Sequence, residues 1–454
     1  MISLVAALPI LLGLAQTPEQ SDSLARDRVT GPLGARLDSQ VTRFAEYGFS
    51  GTVLVVRDGP IVLLKGYGLA DVERGIPNTA ATRFEMNSMT KMFTGVAILQ
   101  LAAQKRLSLS DSVERYLGDF PSGKQGATIQ QLVTHTSGLI VKGSELAGDS
   151  RAAFVRDVKR TPRESAPGER YRYTNAGFSL LAAIIETVSG ETYEEYLRRH
   201  EFAPAGMRTA RFRNEAPTND ARFAHGYVGT PAALEPGPPN PYVWGTKGAG
   251  GVWASVGDIY RWLVALEEQR ILADAQWRLL ITPPVPPAQE AFGWHVETTP
   301  EGSLRIMKGG GSDDFASQLL YYPSEHVTIV WASNNLRQRW RRTLNQALPD
   351  IVLADSSFSL PPVAPIARAA LDERQGRYAS AQDSLEVHAG PGYLYATANR
   401  LDVPTNVMFF PQDGSHFTAF DPANRAVTCL EFSRTGGRSV AIEFPDGRRV
   451  SLQR

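Results

Sequence analysis

Ser88-Met89-Thr90-Lys91, continued without a proline by Met92-Phe93-Thr94-Gly95-Val96-Ala97-Ile98-Leu99-Gln100-Leu101-Ala102-Ala103-Gln104, is the stretch on which the reading of this chain turns. The run after Lys91 is rich in helix formers, so it predicts a helix that opens close to the serine. Residues three apart share a helix face, one turn from each other, so the amine of Lys91 can reach the hydroxyl of Ser88. A serine in the first turn also sits among unpaired backbone N–H groups, which favour developing negative charge. A serine with an amine partner is the smallest signature of acyl transfer that needs no histidine. The same four residues fit an ordinary helical start with a solvated lysine, so other segments must decide.

Two segments do. Tyr173-Thr174-Asn175 lies within Arg170–Phe178. In an extended or looped segment, residues two apart point to the same side. The phenol can take or relay a proton, and the carboxamide both donates and accepts hydrogen bonds. The competing reading is a surface turn with an aromatic anchor. Lys308-Gly309-Gly310-Gly311 lies between strand-like runs at Leu304–Met307 and Ser317–Tyr322. It reads either as a flexible glycine turn or as a lysine beside bare backbone that a substrate can approach closely.

The order Ser-x-x-Lys, Tyr-x-Asn, Lys-x-Gly resembles the serine β-lactamase and penicillin-binding-protein superfamily, in its class C β-lactamase-related form with D-alanyl-D-alanine carboxypeptidases, D-aminopeptidases and family VIII esterases. The likeness runs over roughly residues 35–350. Phe49–Gly59 looks like the family's opening hairpin, and Leu132-Val133-Thr134-His135-Thr136-Ser137-Gly138-Leu139 is close to its Leu-x-Thr-His-Thr-Ser-Gly-Leu signature. Gly250–Asp258 resembles its Gly-Gly-x-x-Ser-x-x-Asp segment, and Ala291–Trp294 its Gly-Trp strand. The resemblance implies catalytic roles for Ser88, Lys91 and Tyr173. It implies substrate binding by Asn175, Lys308, Gly309, Gly310 and Gly311, with the backbone N–H groups of Ser88 and Gly311 as the oxyanion donors. No metal or organic cofactor is implied. One departure stands out. Asp314 occupies a position where glycine is usual, so Asp313 and Asp314 place two carboxylates close to Lys308 in sequence. They read as solvated turn residues, as partners for a substrate amine, or as groups that weaken binding of a substrate carboxylate.

Ser88 needs a base. Lys91 would have to lose about three pKa units, roughly 4 kcal/mol, to be neutral at pH 7. Burial lowers a lysine pKa and a nearby cation pushes the same way; Lys308 is a candidate for that cation. In the other scheme Lys91 stays charged and Tyr173, with its pKa lowered, is the base. The sequence leaves both open.

Bulk properties limit the rest. The chain has 454 residues, 43% of them hydrophobic, enough for a large core and two domains. Lys plus Arg and Asp plus Glu both number 47, so no basic field favours nucleic acid or an anionic membrane surface. The seven histidines are scattered without zinc spacing, and Cys429 is alone, so no internal disulfide exists. Met1–Ala15 reads as a secretory signal, which predicts a periplasmic or secreted protein, or, left uncleaved, as a weak membrane anchor and the one expected membrane contact; its apolar run is short for a bilayer span. Residues 16–34 read as a loose segment, 35–355 as the hydrolase domain, 356–370 as a linker around Leu360-Pro361-Pro362-Val363-Ala364-Pro365, and 371–454 as a small antiparallel β domain. The expected fold class is α/β (α+β): an antiparallel sheet flanked by helices, a helical subdomain, and a lipocalin-like C-terminal β domain. Helices are expected at Thr128–Thr134, Phe178–Val188 and Asp258–Glu268, and a surface excursion at Glu215–Tyr242. The expected partner is a small-molecule or peptidoglycan-derived substrate. The expected function is a secreted serine hydrolase acting on an ester, β-lactam or D-amino-acid peptide bond. The alternative is a penicillin-binding or peptidoglycan-sensing protein that acylates at Ser88 without turnover.

Overall fold

The computed structural model describes residues 23–120, 126–139, 150–216, 219–230, 233–238, 241–335, 339–399, 401, 403, 408–421, 426–433 and 438–454. The Met1–Ala15 segment lies outside the described residues. At the centre is a seven-stranded antiparallel sheet, in the order Arg28–Val29, Ile61–Tyr67, Gly51–Arg57, Val327–Ser333, Ala316–Tyr322, Leu304–Gly311 and His295–Thr298. The N-terminal hairpin joins the late strands through pairs such as Val53 with Trp331 and Leu54 with Val330. The helical middle of the chain is thus an insertion into one sheet.

Successive residues of a strand face opposite sides of a sheet, and here they enter two different cores. Leu54, Val56, Val330 and Ala332 join the core on one side. Val53, Val55, Ile329 and Trp331 join the core on the other. Both faces are covered, so Ala316–Tyr322 and Val327–Ser333 are buried along their whole length. The first core holds Thr90–Ala103, which is apolar all round and buried from Thr90 to Leu99, as a central helix must be. Asn175–Ser189 and Val256–Glu267 pack there too. Helices Gly31–Glu46 and Arg339–Leu353 cover the opposite face. The chain is therefore a mixed α/β sandwich, as the sequence predicts, and the helices expected at 128–134, 178–188 and 258–268 appear at Ile129–Val133, Asn175–Ser189 and Val256–Glu267.

Three local expectations change. The segment expected to be loose through residue 34 is structured from Ser23. Arg28 and Val29 pair with Leu64 and Leu63, and a helix starts at Gly31. The helix lies close because Gly34 has no Cβ; one would stand 2.2 Å from the carbonyl oxygen of Val62. A two-residue edge strand has no pattern to show in a polar sequence. Second, the strand opening at Leu304 runs on to Gly311, so Lys308-Gly309-Gly310-Gly311 is paired strand and not a glycine turn; the turn follows at Ser312–Phe315. Third, the excursion at 215–242 contains a short hairpin, Tyr227–Thr230 with Ala233–Pro236.

After the proline-rich stretch, eight antiparallel strands from Gly376 to Gln453 close into a barrel. Seven of them carry recognisable β patterns; Met408–Pro411, four residues ending in proline, does not. The barrel interior is filled by Tyr378, Leu385, Leu394, Phe409, Phe417, Leu430 and Ile442, among others. Its outer face sets Phe410 against Tyr47 at 5.0 Å between ring centroids, and Phe420 against Trp340 at 5.7 Å and Phe44 at 6.2 Å. No helix among the described residues is long and apolar enough to cross a membrane.

Phe420 is 3% exposed. Its replacement in Phe420→Ala is expected to lower the unfolding free energy by about 3 kcal/mol. Urea unfolding followed by tryptophan fluorescence reads this, and an unchanged midpoint would show that the barrel contributes nothing to the main domain's stability.

Candidate active site

The site forms where the central helix begins. Ser88 sits in a tight 3-10 turn, Asn87–Met89, that runs into Thr90–Ala103. Asn87 adopts φ 49°, a left-handed conformation that asparagine tolerates better than most residues. Its Nδ2 donates to the Glu85 carbonyl and to Ser312 Oγ, both at 3.3 Å. The turn is also pinned from the sheet. Ser317 Oγ donates to the Met86 carbonyl at 3.0 Å, and a Cβ on Gly310 would stand 1.9 Å from that same oxygen. Gly310 therefore serves the close packing of the strand on the Ser88 turn, while Gly309 and Gly311 line the cavity.

Lys91 is fully buried. Its Nζ lies 3.1 Å from Ser88 Oγ, 2.8 Å from Asn175 Oδ1 and 3.0 Å from the Ala249 carbonyl. The two latter oxygens can only accept, so they take two N–H bonds in either protonation state. In the neutral amine the remaining lone pair faces Ser88, which can then donate its hydroxyl proton to it. Burial pushes the Lys91 pKa down to about 7, against the opposing charge of Glu290. Lys308 is not the cause, contrary to one sequence expectation: desolvation does the work.

Tyr173 OH lies 3.0 Å from Ser88 Oγ. Its pKa is raised, because desolvation outweighs the lowering by Lys308, so the phenol keeps its proton. The ring lies against the His135 imidazole at 4.5 Å between centroids, with Lys91 Nζ 4.9 Å and Lys308 Nζ 5.3 Å from its own centroid. His135 Nδ1 accepts the backbone N–H of Thr174 at 3.2 Å, and its carbonyl accepts that of Arg172 at 2.7 Å. The His-Thr-Ser-Gly segment thus fixes the Tyr173–Asn175 loop. Burial, with Lys308 and Lys91 nearby, holds the imidazole neutral.

The sequence-derived residues therefore converge: Ser88, Lys91, Tyr173 and Asn175 form one hydrogen-bonded group, and Ser88, Tyr173, Lys308, Gly309 and Gly311 line one cavity of about 430 Å³. Asp313 and Asp314 do not join it at Lys308. Asp313 is exposed. Asp314 accepts from Ser312 Oγ at 2.7 Å and lies so close to two backbones that a Cβ on Gly226 or on Gly237 would stand 2.2 Å from its Oδ2. Lys308 is paired instead with Glu290. Glu290, Gln318, Arg341 and Asn345 also line the cavity, and sequence reading missed them. Arg341 donates to the Gly310 carbonyl from the helix behind the sheet. Glu290 stands next to Ala291–Trp294, which was the one available signal. Elsewhere, Asp71, Glu73 and His225 bring ligand atoms within 4.8 Å of one another, but Arg74 Nε already holds Asp71 Oδ2 at 2.5 Å.

An antiparallel sheet backing a Ser-x-x-Lys helix, with a phenol and a lysine-glycine strand converging on the serine, marks the class of serine β-lactamases and penicillin-binding proteins. Residues 22–354 match the family model Beta-lactamase, and the chain belongs to that family. It is 30% identical over 312 residues to penicillin-binding protein 4* of Bacillus subtilis (strain 168), covering 64% of this chain and 69% of that one. It is 28% identical over 326 residues to protein flp of Staphylococcus aureus (strain MW2), covering 68% of this chain and 64% of that one. The matches span 69% and 64% of the length of these two curated relatives, and 60% of a third, the putative penicillin-binding protein PbpX of the same Bacillus subtilis strain. Among solved structures it is similar to the octameric penicillin-binding protein homologue from Pyrococcus abyssi, with a TM-score of 0.63, 25% identity, and coverage of 93% of this chain and 100% of that one.

Gly310→Ala is expected to push the strand off Met86 and displace Ser88. A displacement of about 1 Å costs on the order of 100-fold in rate, readable as slower labelling of Ser88 by a fluorophosphonate probe. Labelling at the unaltered rate would show that strand contact is not what sets the turn.

Proposed function

We propose that this protein is a serine hydrolase that forms an acyl-enzyme through Ser88 on an ester, β-lactam or D-amino-acid peptide and then hydrolyses it. The observation that carries this reading is the placement of Ser88 Oγ between a buried amine at 3.1 Å and a phenol at 3.0 Å. The Lys91 lone pair takes the hydroxyl proton as Ser88 Oγ bonds to the acyl carbon. The N–H groups of Ser88 and Gly311 are assigned to the oxyanion, where such donors contribute about 2.7–4 kcal/mol each. Because Tyr173 keeps its proton, it acts as a relay: it donates to the leaving group and is reprotonated from Lys91. The leaving group departs as the C–O bond to serine completes the acyl-enzyme. Water then attacks, and its proton returns along the same path. Lys91 is thus the base, and the phenolate scheme is set aside. Asn175 Oδ1 orients Lys91, which leaves its Nδ2 to meet the substrate carbonyl.

The second reading is a penicillin-binding protein that acylates and stays acylated; the names of the relatives favour it. It shares Ser88 and differs in deacylation. A burst without steady turnover identifies it, and sustained turnover rejects it. A panel of a chromogenic cephalosporin, short-chain p-nitrophenyl esters and D-alanyl-D-alanine peptides, compared by kcat/KM, separates the substrate classes. An extracytoplasmic location is part of the proposal; the support is the apolar opening Met1–Ala15, and cell fractionation tests it.

Ser88→Ala is expected to abolish covalent labelling and to reduce turnover by at least about 1000-fold, with Lys91→Ala nearly as severe, because the residues act as a unit. Unchanged turnover in Ser88→Ala would end the proposal. For wild type, kcat/KM is expected to rise with pH through about 7, as Lys91 loses its proton. A profile that is flat or falling there would reject Lys91 as the base.

A further inference from the structure

Lys308 is the cation that resemblance assigns to a substrate carboxylate. In the structure its charge is already met. Glu290 contacts Lys308 Nζ directly; the Lys308 side chain is 4% exposed and that of Glu290 16%. Glu290 is itself a wall of the cavity that holds Ser88 and Tyr173. It is not carried on a free loop. Phe292 donates its N–H to the Val133 carbonyl at 3.0 Å. A Cβ on Gly95 would stand 2.1 Å from the Phe292 carbonyl oxygen, and a Cβ on Gly293 would stand 2.5 Å from the Lys91 carbonyl carbon. The segment that carries Glu290 is clamped to the nucleophile helix.

We propose that Glu290 determines the substrate class of this site: by neutralising Lys308 it selects neutral acyl substrates and disfavours those whose carboxylate would have to sit on Lys308. The proposal rests on the Ser88 acyl-transfer reading and deepens it. A substrate anion entering at Lys308 meets an ion pair of zero net charge, with the Glu290 carboxylate close by, and like charges brought together oppose binding. The other groups facing Glu290 do not offset this. His135 Nε2 is 3.9 Å away from Glu290 Oε2 on a ring held neutral by burial. Tyr171 and Tyr173 are phenols whose pKa values Glu290 helps to raise. Lys91 is committed to Ser88, Asn175 and Ala249. Among the described residues Arg341 is a further cation lining the cavity; its bond to the neutral Gly310 carbonyl leaves its charge in place, so it is the rival anion site that the test separates from Lys308.

The test compares a neutral p-nitrophenyl ester with its counterpart carrying a terminal carboxylate on the acyl chain. Wild type, Glu290→Gln and Glu290→Asp are assayed, with Ser88→Ala as control. Wild type is expected to favour the neutral ester. Glu290→Gln is expected to shift the ratio of kcat/KM values towards the carboxylate ester by about tenfold, a difference of about 1.4 kcal/mol, mainly through KM. Glu290→Asp, which keeps the charge, is expected to retain the wild-type ratio. Because Glu290 holds the Lys91 pKa up, its removal is also expected to move the acidic limb of kcat/KM to lower pH, a shift that a purely structural role would not produce.

A wild type that prefers the carboxylate ester overturns the proposal, and this outcome needs no variant to fold. An equal loss on both esters in Glu290→Gln also overturns it, as does a ratio that moves in Arg341→Gln and not in Glu290→Gln. Failure of the underlying reading looks different: wild type then turns over neither ester, or Ser88→Ala turns over both.

Discussion

An amine without access to water is the condition on which this structure depends. Lys91 lies inside the first core with no exposed surface, and desolvation favours its uncharged form. Lowering its pKa from 10.5 to about 7 corresponds to a differential on the order of 5 kcal/mol between its two protonation states. The fold must hold that amine dry while keeping the serine beside it reachable from the cavity. The central helix meets the first need by being apolar around its whole circumference. The turn Asn87–Met89, at the helix entrance, meets the second.

Much of the surrounding architecture serves the precision of that entrance. The strand Leu304–Gly311 approaches the turn without a side chain at Gly310, and Ser317 from the next strand holds Met86. The Ala291–Trp294 segment approaches the helix from another side through Gly95 and Gly293. His135 fixes the loop that delivers the phenol and the carboxamide. The contacts at Gly95, Gly293 and Gly310 are backbone-to-backbone, and an added methyl group would force a shift at each of them. The barrel acts one layer further out. Its Phe420 packs on Trp340, and the neighbouring Arg341 reaches the Gly310 carbonyl, so one helix touches both the barrel and the site.

The electrostatics of the cavity follow from two buried lysines with different surroundings. Lys91 hydrogen-bonds only to neutral groups, and burial lowers its pKa against the charge of Glu290. Lys308 meets a carboxylate and keeps a charged partner. Tyr173 lies between them and keeps its proton. Two lysines that would carry the same charge in water thus meet different surroundings here, one desolvated and one ion-paired.

Local pattern determined the helix that carries Ser88 and Lys91, the strand-like runs of the sheet, seven strands of the barrel, and the order of motifs that marks the family. These are legible because hydrophobic spacing and short-range neighbours are properties of the chain itself. Where that pattern was weak, pairing makes the element: Arg28–Val29 lies against the remote Leu63 and Leu64, and Met408–Pro411 is held between its chain neighbours Leu394–Asn399 and His416–Asp421. The tertiary structure alone decided that Lys308 faces Glu290 and not Asp313 or Asp314, that Arg341 enters the cavity, and that burial rather than a neighbouring cation lowers Lys91. Charge partners and desolvation depend on which segments meet in space, and residues 18 and 31 positions apart in the chain, Glu290 with Lys308 and Gly310 with Arg341, leave no mark of that meeting in their local sequence.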